Sequence, residues 1–361
     1  MDEFLKFIWE VIPGGASDIH VKIDQPFIYR KSGSLHKFHG PLVTPEQMDS
    51  IIEAILPKNF ERGPILAGDF AWMHPDMGRY RVNLFLSNGK PTLVMRHVLS
   101  QIPEFEELHL PPVLKSIVES RSGVIFVSGS TGSGKSTSLA AMLDHINTNF
   151  MKRIITIEDP IEYMFTDKQS VISQKEMGLD IASFHDGLKY ALRQDPDIIM
   201  IGELRDADSF KSALKAAETG HLVLTTLHAD TAALAISRIL EYFPTGERDQ
   251  RLSDLSKNLR AIIGQRLIPT IDGGVRPANE ILINTPPVRM LIGDNELDKI
   301  TSAIDGGEND GMQTFDTALI NLKNEGLIDQ ATAETYATNK EGLRMRAKGI
   351  KIKSGGGILG G

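Results

Sequence analysis

The clearest chemistry in this sequence sits in Ser128-Gly129-Ser130-Thr131-Gly132-Ser133-Gly134-Lys135-Ser136, which reads G-x-x-x-x-G-K-S. In such a turn the backbone N–H groups converge on phosphate oxygens, the lysine reaches the outer phosphates, and the hydroxyl after it binds Mg²⁺. The spacing nominates Ser130, Thr131, Gly132, Ser133, Gly134, Lys135, Ser136 and Thr137 to hold a nucleotide, with Ser136 as the direct metal ligand. Context separates this from a glycine turn with no ligand. Val124 to Ser128 is a β-branched apolar run, and Leu139, Met142, Leu143 and Ile146 recur at helical spacing. Strand, glycine turn and helix in that order place an anion at a helix N-terminus, where free N–H groups and the dipole favour it.

Ligands of open α/β sheets bind at the carboxyl ends of the strands, so polar residues closing other apolar runs are candidates for the same site. Glu158, Asp159 and Glu162 follow Ile154 to Ile157, Glu203 follows Ile198 to Gly202, and His228 closes Leu222 to Leu227. Phosphoryl transfer needs positioning, charge stabilisation and a residue that orients the attacking water. Asp159 is placed to hold a metal-bound water, Glu203 or Glu162 to polarise the nucleophile, and His228 to sense a terminal phosphate. Glu203 is the second carboxylate expected near the metal, through water. His221 precedes its strand, at the opposite sheet edge, and reads as structural. An ordinary Walker B strand ends on aspartate; here it ends on Gly202-Glu203.

Short apolar strands alternating with helical patterns predict a parallel sheet covered on both faces. A different pattern precedes it. Phe4, Phe7, Ile8 and Val11 share a helical stripe. Thr44, Pro45 and Gln47 form a capping box before Met48, Ile51, Ile52 and Ile55. Asn88-Gly89 between two alternating runs predicts a hairpin. If Ser87 faces Lys90, counting back sets Arg81 opposite Arg96. Like charges so placed repel unless a carboxylate or a bound anion lies between them; an arginine pair reaching a phosphate satisfies that condition, and a solvated basic face is the competing reading. The expected organisation is an N-terminal α+β domain (1–100), a proline-rich linker (101–112), an α/β nucleotide domain (113–285), a helical region (286–345), and a flexible basic, glycine-rich tail (346–361).

Composition narrows the class. The 361 residues suit two or three domains, and 41% hydrophobic with 24% charged residues is ordinary for a globular protein. No apolar run approaches the roughly 20 residues of a membrane span, and Met1-Asp2-Glu3 does not begin a secretory signal. Zero cysteines exclude disulfides and cysteine-held zinc, and a net charge of −8 weighs against a general nucleic-acid binder.

Leu192-Arg-Gln-Asp-Pro-Asp-Ile-Ile-Met-Ile-Gly-Glu-Leu-Arg-Asp206 resembles the secretion ATPases that drive type II secretion and type IV pili. Ile157-Glu-Asp-Pro-Ile-Glu-Tyr163 resembles their aspartate box and Thr219-Gly-His-Leu-Val-Leu-Thr-Thr-Leu-His-Ala229 their histidine box. Within that family the chain resembles the short retraction ATPases of the PilT and PilU type: it starts directly at the first domain and lacks the cysteines of a zinc module. The resemblance implies a PAS-like N-terminal domain, a RecA-like ATPase domain with a predominantly parallel sheet, and a homo-hexamer binding ATP and Mg²⁺. It implies cytoplasmic work at the inner-membrane platform of a pilus machine, by contact with membrane machinery rather than insertion, with a paralogous retraction ATPase as a further partner. By motif it assigns Lys135 and Ser136 to the nucleotide and Mg²⁺, Glu203 and Glu162 to catalysis, His228 to the terminal phosphate, and Arg81 and Arg96 to reaching the nucleotide. PilT proteins carry A-I-R-N-L where this chain has Pro287-Val-Arg-Met-Leu291, a departure toward the PilU branch. Two other readings stay open: an ATP-binding regulatory component with little turnover, and a RecA-like motor on nucleic acid, which the acidic balance disfavours.

Overall fold

The computed structural model describes residues 1–31, 33–57, 60, 66–98 and 101–347. They divide into two units. Unit 1 holds Met1–Gln101 together with the short segment Pro160–Met164; unit 2 holds Ile102–Asp159 and the chain from Phe165 onward. The tail expected to be flexible lies, from residue 348, outside the described residues.

Unit 1 runs α1 (Asp2–Val11), β1 (Ala16–Lys22), β2 (Ile28–Lys31), β3 (Ser34–Lys37), α2 (Pro45–Ile55), β4 (Gly68–His74), β5 (Gly78–Ser87) and β6 (Lys90–Val98). The strands form one antiparallel sheet in the order β3-β2-β1-β6-β5-β4. The predicted stripes of α1 and α2 are buried in one cluster with Ile19, Val21, Tyr80, Val82, Leu84, Leu93 and Met95. Only half of the capping box forms. Thr44 Oγ1 accepts the Gln47 N–H at 3.2 Å, but the Gln47 side-chain amide donates to Glu3 at 2.9 Å, tying α2 to α1. The hairpin has the counted register: Asn88 and Gly89 both take positive φ (52° and 73°), Ser87 pairs with Lys90, and Arg81 pairs with Arg96.

Unit 2 runs α3 (Val113–Val118), β7 (Gly123–Ser128), α4 (Lys135–Asn149), β8 (Arg153–Glu158), β9 (Val171–Glu176), α5 (Phe184–Ala191) and β10 (Ile198–Ile201). It continues with α6 (Ala207–Glu218), β11 (Leu222–Leu227), α7 (Ala232–Glu241), α8 (Arg248–Asn258), β12 (Leu259–Pro269) and β13 (Val275–Ile283). The helices α9 (Pro286–Gly293), α10 (Ile300–Gly306), α11 (Phe315–Asn324), α12 (Gln330–Tyr336) and α13 (Lys340–Ala347) close it. The sheet order is β13-β12-β7-β11-β10-β8-β9, parallel throughout except for the β12–β13 pair.

Three of these strands did not stand out in the sequence. β9 is a polar edge strand, β12 interrupts its apolar run with Gly264-Gln265-Arg266, and β13 contains Pro277, which an edge strand tolerates. Both faces of the sheet are buried, one with Phe210, Ile236 and Ile239, the other with Met142, Leu143 and Ile146. Phe105 and Leu110, in the proline-rich stretch read as a linker, belong to the second of these clusters. Phe315, Leu319, Ala333 and Leu343 of the C-terminal helices pack with Ile268 and Ala278 of the β12–β13 hairpin. Among the described residues no helix is long and apolar enough to cross a membrane.

Candidate active site

The central order β7-β11-β10-β8 sets four parallel strand ends side by side. β7 leads into the glycine turn, β11 into His228, β10 into Glu203, and β8 into Asp159. The chain leaves β7 for β8 across the sheet and fills in β10 and β11 afterwards. The crevice between β7 and β11 is therefore the switch point where such sheets bind ligands.

The turn has the backbone its motif requires. Gly129, Gly132 and Gly134 have φ of 153°, 80° and 82°. A Cβ at Gly129 would lie 2.5 Å from the Gln265 carbonyl oxygen, whereas one at Gly132 would meet nothing within 4 Å. Lys135 Nζ donates to the carbonyls of Gly129 and Ser130, each at 2.9 Å, so its charge lies inside the loop. Ser133 Oγ is buried and has no hydrogen-bond partner among the described residues. Ser130, Thr131 and Gly132 are exposed, and Ser136 and Thr137 are half-buried at the start of α4. A cavity of ≈ 450 Å³ opens here, lined by the loop, by Asp230, by Gln265 to Leu267 of β12, and by Thr335 to Ala337 at the end of α12.

Gln265 escaped the sequence reading. Its buried side chain donates to the Ser133 carbonyl at 2.8 Å and accepts from the Ser138 hydroxyl at 2.8 Å and the Asn279 amide at 3.2 Å. A lone amide inside the apolar run Ala261 to Ile268 was the available signal.

Thr226 Oγ1 donates to the Gly202 carbonyl at 2.6 Å, tying β11 to the end of β10. His228 Nε2 thereby stands 3.7 Å from one oxygen of Glu203. Arg205 takes the other: Nη2 donates to Glu203 Oε1, while Nη1 lies 3.6 Å from Asp159 Oδ2. The neighbouring carboxylates hold the Arg205 pKa above its ordinary value, the hydrogen bond to Glu203 contributing most. Asp206 has another task. Its carboxylate caps α6, accepting the Ser209 N–H at 2.8 Å and the Ser209 hydroxyl at 2.9 Å. His221 holds its turn through the Ala216 carbonyl and the Thr219 hydroxyl, the structural part expected of it.

Glu162 lies in the segment that belongs to unit 1. It is exposed between the buried Ile161 and Tyr163, three residues beyond Asp159, which follows β8 in unit 2. Arg81 and Arg96 also belong to unit 1, where Asp18, Arg96 and Arg81 follow one another across β1, β6 and β5. The carboxylate expected beside the arginine pair is Asp18. It flanks Arg96 rather than separating it from Arg81, and Arg96 Nε donates to it at 2.7 Å. Burial pushes the Asp18 carboxyl up, but the hydrogen bonds from Arg96 and Ser17 outweigh that and hold it below the usual range.

The family described as Type II/IV secretion system protein matches residues 80–352. The chain belongs to that family. It is 40% identical over 327 residues to the type IV pilus retraction ATPase PilT of Pseudomonas aeruginosa, covering 90% of this chain and 94% of that protein. It is 38% identical over 355 residues to the type IV pilus ATPase PilU of the same organism, covering 96% and 91%. Among solved structures, a pilus retraction motor PilT with bound ADP superposes with a TM-score of 0.87 at 39% identity, covering 94% of this chain and 98% of that one. The ATPase DotB of Legionella pneumophila gives 0.79 at 28% identity, covering 92% and 94%. The fold is that of these secretion ATPases: an N-terminal α+β domain, a RecA-like nucleotide domain, and C-terminal helices.

Proposed function

We propose that this chain is an ATP-hydrolysing motor that powers type IV pilus retraction. The observation that carries the reading is the set of four adjacent strand ends supplying the P-loop, His228, Glu203 and Asp159, in a chain that matches PilT over almost its full length. The loop N–H groups from Ser130 to Thr137 bind phosphate oxygens, and Lys135 turns from its own loop carbonyls to the outer phosphates. Glu203, assisted by Glu162, orients and deprotonates the attacking water, and His228 contacts the terminal phosphate. Arg81 and Arg96 neutralise charge on the transferring group.

The donors at the strand ends fit Mg²⁺. Among the described residues no group of three or more acidic or histidine side chains is arranged to hold a metal ion. A divalent cation would therefore be held by the Ser136 hydroxyl, by phosphate oxygens, and through water by Asp159 and Glu203, the oxygen-rich, partly hydrated shell Mg²⁺ favours. When bound, it neutralises developing charge on the phosphates. We place the protein as a homo-hexamer on the cytoplasmic side, working against the inner-membrane platform of the pilus machine without inserting into the bilayer.

Steady-state ATPase activity of the purified protein, set against its Glu203→Gln variant, tests the catalytic half of this reading. Equal turnover in the two proteins removes it. Deletion in the native host tests the biological half, with excess surface pili and lost surface motility as the expected result. A PilU-like accessory role is the second reading. It is favoured by the 96% coverage against PilU and by Pro287-Val-Arg-Met-Leu291, which lies within α9 with Met290 exposed. On that reading the deletion phenotype appears only when a second retraction ATPase is weakened.

A further inference from the structure

Both oxygens of Glu203 are engaged, one by Arg205 and the other facing His228 at 3.7 Å. The same guanidinium reaches Asp159 Oδ2 at 3.6 Å, so one cation spans carboxylates from the ends of two strands, β10 and β8. A carboxylate in that condition has fewer lone pairs open to a metal-bound water or a nucleophile. Release of one partner frees the rest. Arg205 has the freer side chain: it is 59% exposed, against 48% for His228, and it immediately precedes the Asp206 cap of α6. Half-exposed ion pairs are weak and readily exchanged, because water solvates the released guanidinium.

We propose that Arg205 is a positioning residue that covers Glu203 and Asp159, so that it and a divalent cation compete for the same two carboxylates. This rests on the assignment of those carboxylates to the metal and the nucleophile. Arg205 keeps the two strand-end charges from repelling each other, and it withholds the general base until metal and nucleotide arrive together. The competition makes the site demand more Mg²⁺ than its donors alone require. It also aligns Glu203, since the guanidinium fixes which oxygen faces His228.

The test uses the full-length protein and the fluorescent nucleotide mant-ADP, titrated with Mg²⁺ from chelator-stripped buffer upward. The wild type is compared with Arg205→Gln and Arg205→Lys. The half-saturating Mg²⁺ concentration is expected to fall on the order of five-fold in Arg205→Gln, the size of effect an exposed pair supports, and to stay near wild type in Arg205→Lys. Binding in chelator should be unchanged. A half-saturating concentration that is unchanged or higher in Arg205→Gln overturns the competition and leaves the nucleotide site standing. Failure of the wild type to bind mant-ADP at any Mg²⁺ concentration removes the site assignment and this proposal with it.

Discussion

Arg96 is tied to Asp18 across β1 and β6 at 2.7 Å, whereas Arg81, its cross-strand neighbour on β5, has no ion-pair partner among the described residues. Two arginines that count back to equivalent positions in the hairpin therefore differ in what they hold. The Arg96 side chain is 70% exposed, but that of Asp18 is only 7% exposed, so the pair has a wet end and a dry end.

Truncating the two arginines should separate stability from catalysis. Arg96→Ala strands a buried carboxylate, which costs about 1–3 kcal/mol. Arg81→Ala removes a solvated charge and should stay within about 0.5 kcal/mol of wild type. Both should lower turnover, by about 10³-fold or more, the contribution of an arginine finger. Denaturant melts with parallel ATPase assays check this, and equal melts for the two variants would refute the asymmetry.

The same pair gives unit 1 an acid sensitivity. The folded Asp18 pKa is held down, chiefly by Arg96 and Ser17 against the upward push of burial. A depressed carboxyl contributes stability that is complete above its unfolded pKa and is lost as pH falls through the folded one. Asp18→Asn should therefore narrow the stability gap between neutral pH and pH below about 3.9, where an unperturbed aspartate protonates. Melting temperatures recorded across that range decide it, and a gap as wide as in wild type rules Asp18 out as the source.

The P-loop, the four strand ends and the hairpin register were legible in the sequence because each rests on local rules: a motif, an apolar run closed by a polar residue, an Asn-Gly turn. What was illegible depends on distant partners. Gln265 stands 132 residues from the Ser133 carbonyl it supports, and β12 joins the parallel strands by pairing with the distant β7. Arg205 lies in a quoted motif, yet its role emerges from the order of β8 and β10, which no local pattern reports. That Glu162 belongs with unit 1 while Asp159 belongs with unit 2 is likewise a matter of packing, invisible in the run Ile157 to Tyr163.

Gln265 should behave as part of the nucleotide loop although it is not in the motif. Gln265→Leu removes the donor to Ser133 and the acceptor for Ser138 and Asn279, and each buried group left unpaired costs about 1–3 kcal/mol. Gln265→Glu keeps an acceptor but points a carboxylate at the Ser133 carbonyl. Both variants should weaken mant-ADP binding more than they slow the turnover of bound nucleotide. Wild-type affinity in both would reduce Gln265 to a packing residue.

Two glycines of the loop make a matched control. Gly129→Ala drives a methyl to 2.5 Å from the Gln265 carbonyl oxygen at a φ of 153°, so the loop must move. Gly132→Ala meets open space and bears only the strain of a left-handed φ, about 1–2 kcal/mol. Nucleotide binding should be abolished by the first and retained, more weakly, by the second. The reverse order would show that the crown of the loop, not its base, sets the affinity.

Glu280 on β13 offers a test with the opposite sign. Its buried carboxylate accepts the Ala232 N–H at 2.6 Å, at the start of the helix that follows His228. Burial raises its pKa, and the Ala232 N–H and Arg266 only partly offset that. A raised folded pKa means that the group's contribution is complete below its unfolded pKa, about 4.3 for glutamate, and is lost as pH rises through the folded value. The ionised carboxylate is thus a burden near neutral pH. Glu280→Gln keeps the acceptor for Ala232, and its new N–H groups face a cavity of ≈ 160 Å³ whose lining includes Asp305, Asp316 and Thr314. The variant should melt at or above the wild-type temperature near neutral pH and lose that advantage as pH falls toward the glutamate range. A variant that melts well below wild type near neutral pH would mean that the negative charge itself is required at the N-terminus of α7, where the helix dipole favours an anion, and that this term exceeds the cost of burial.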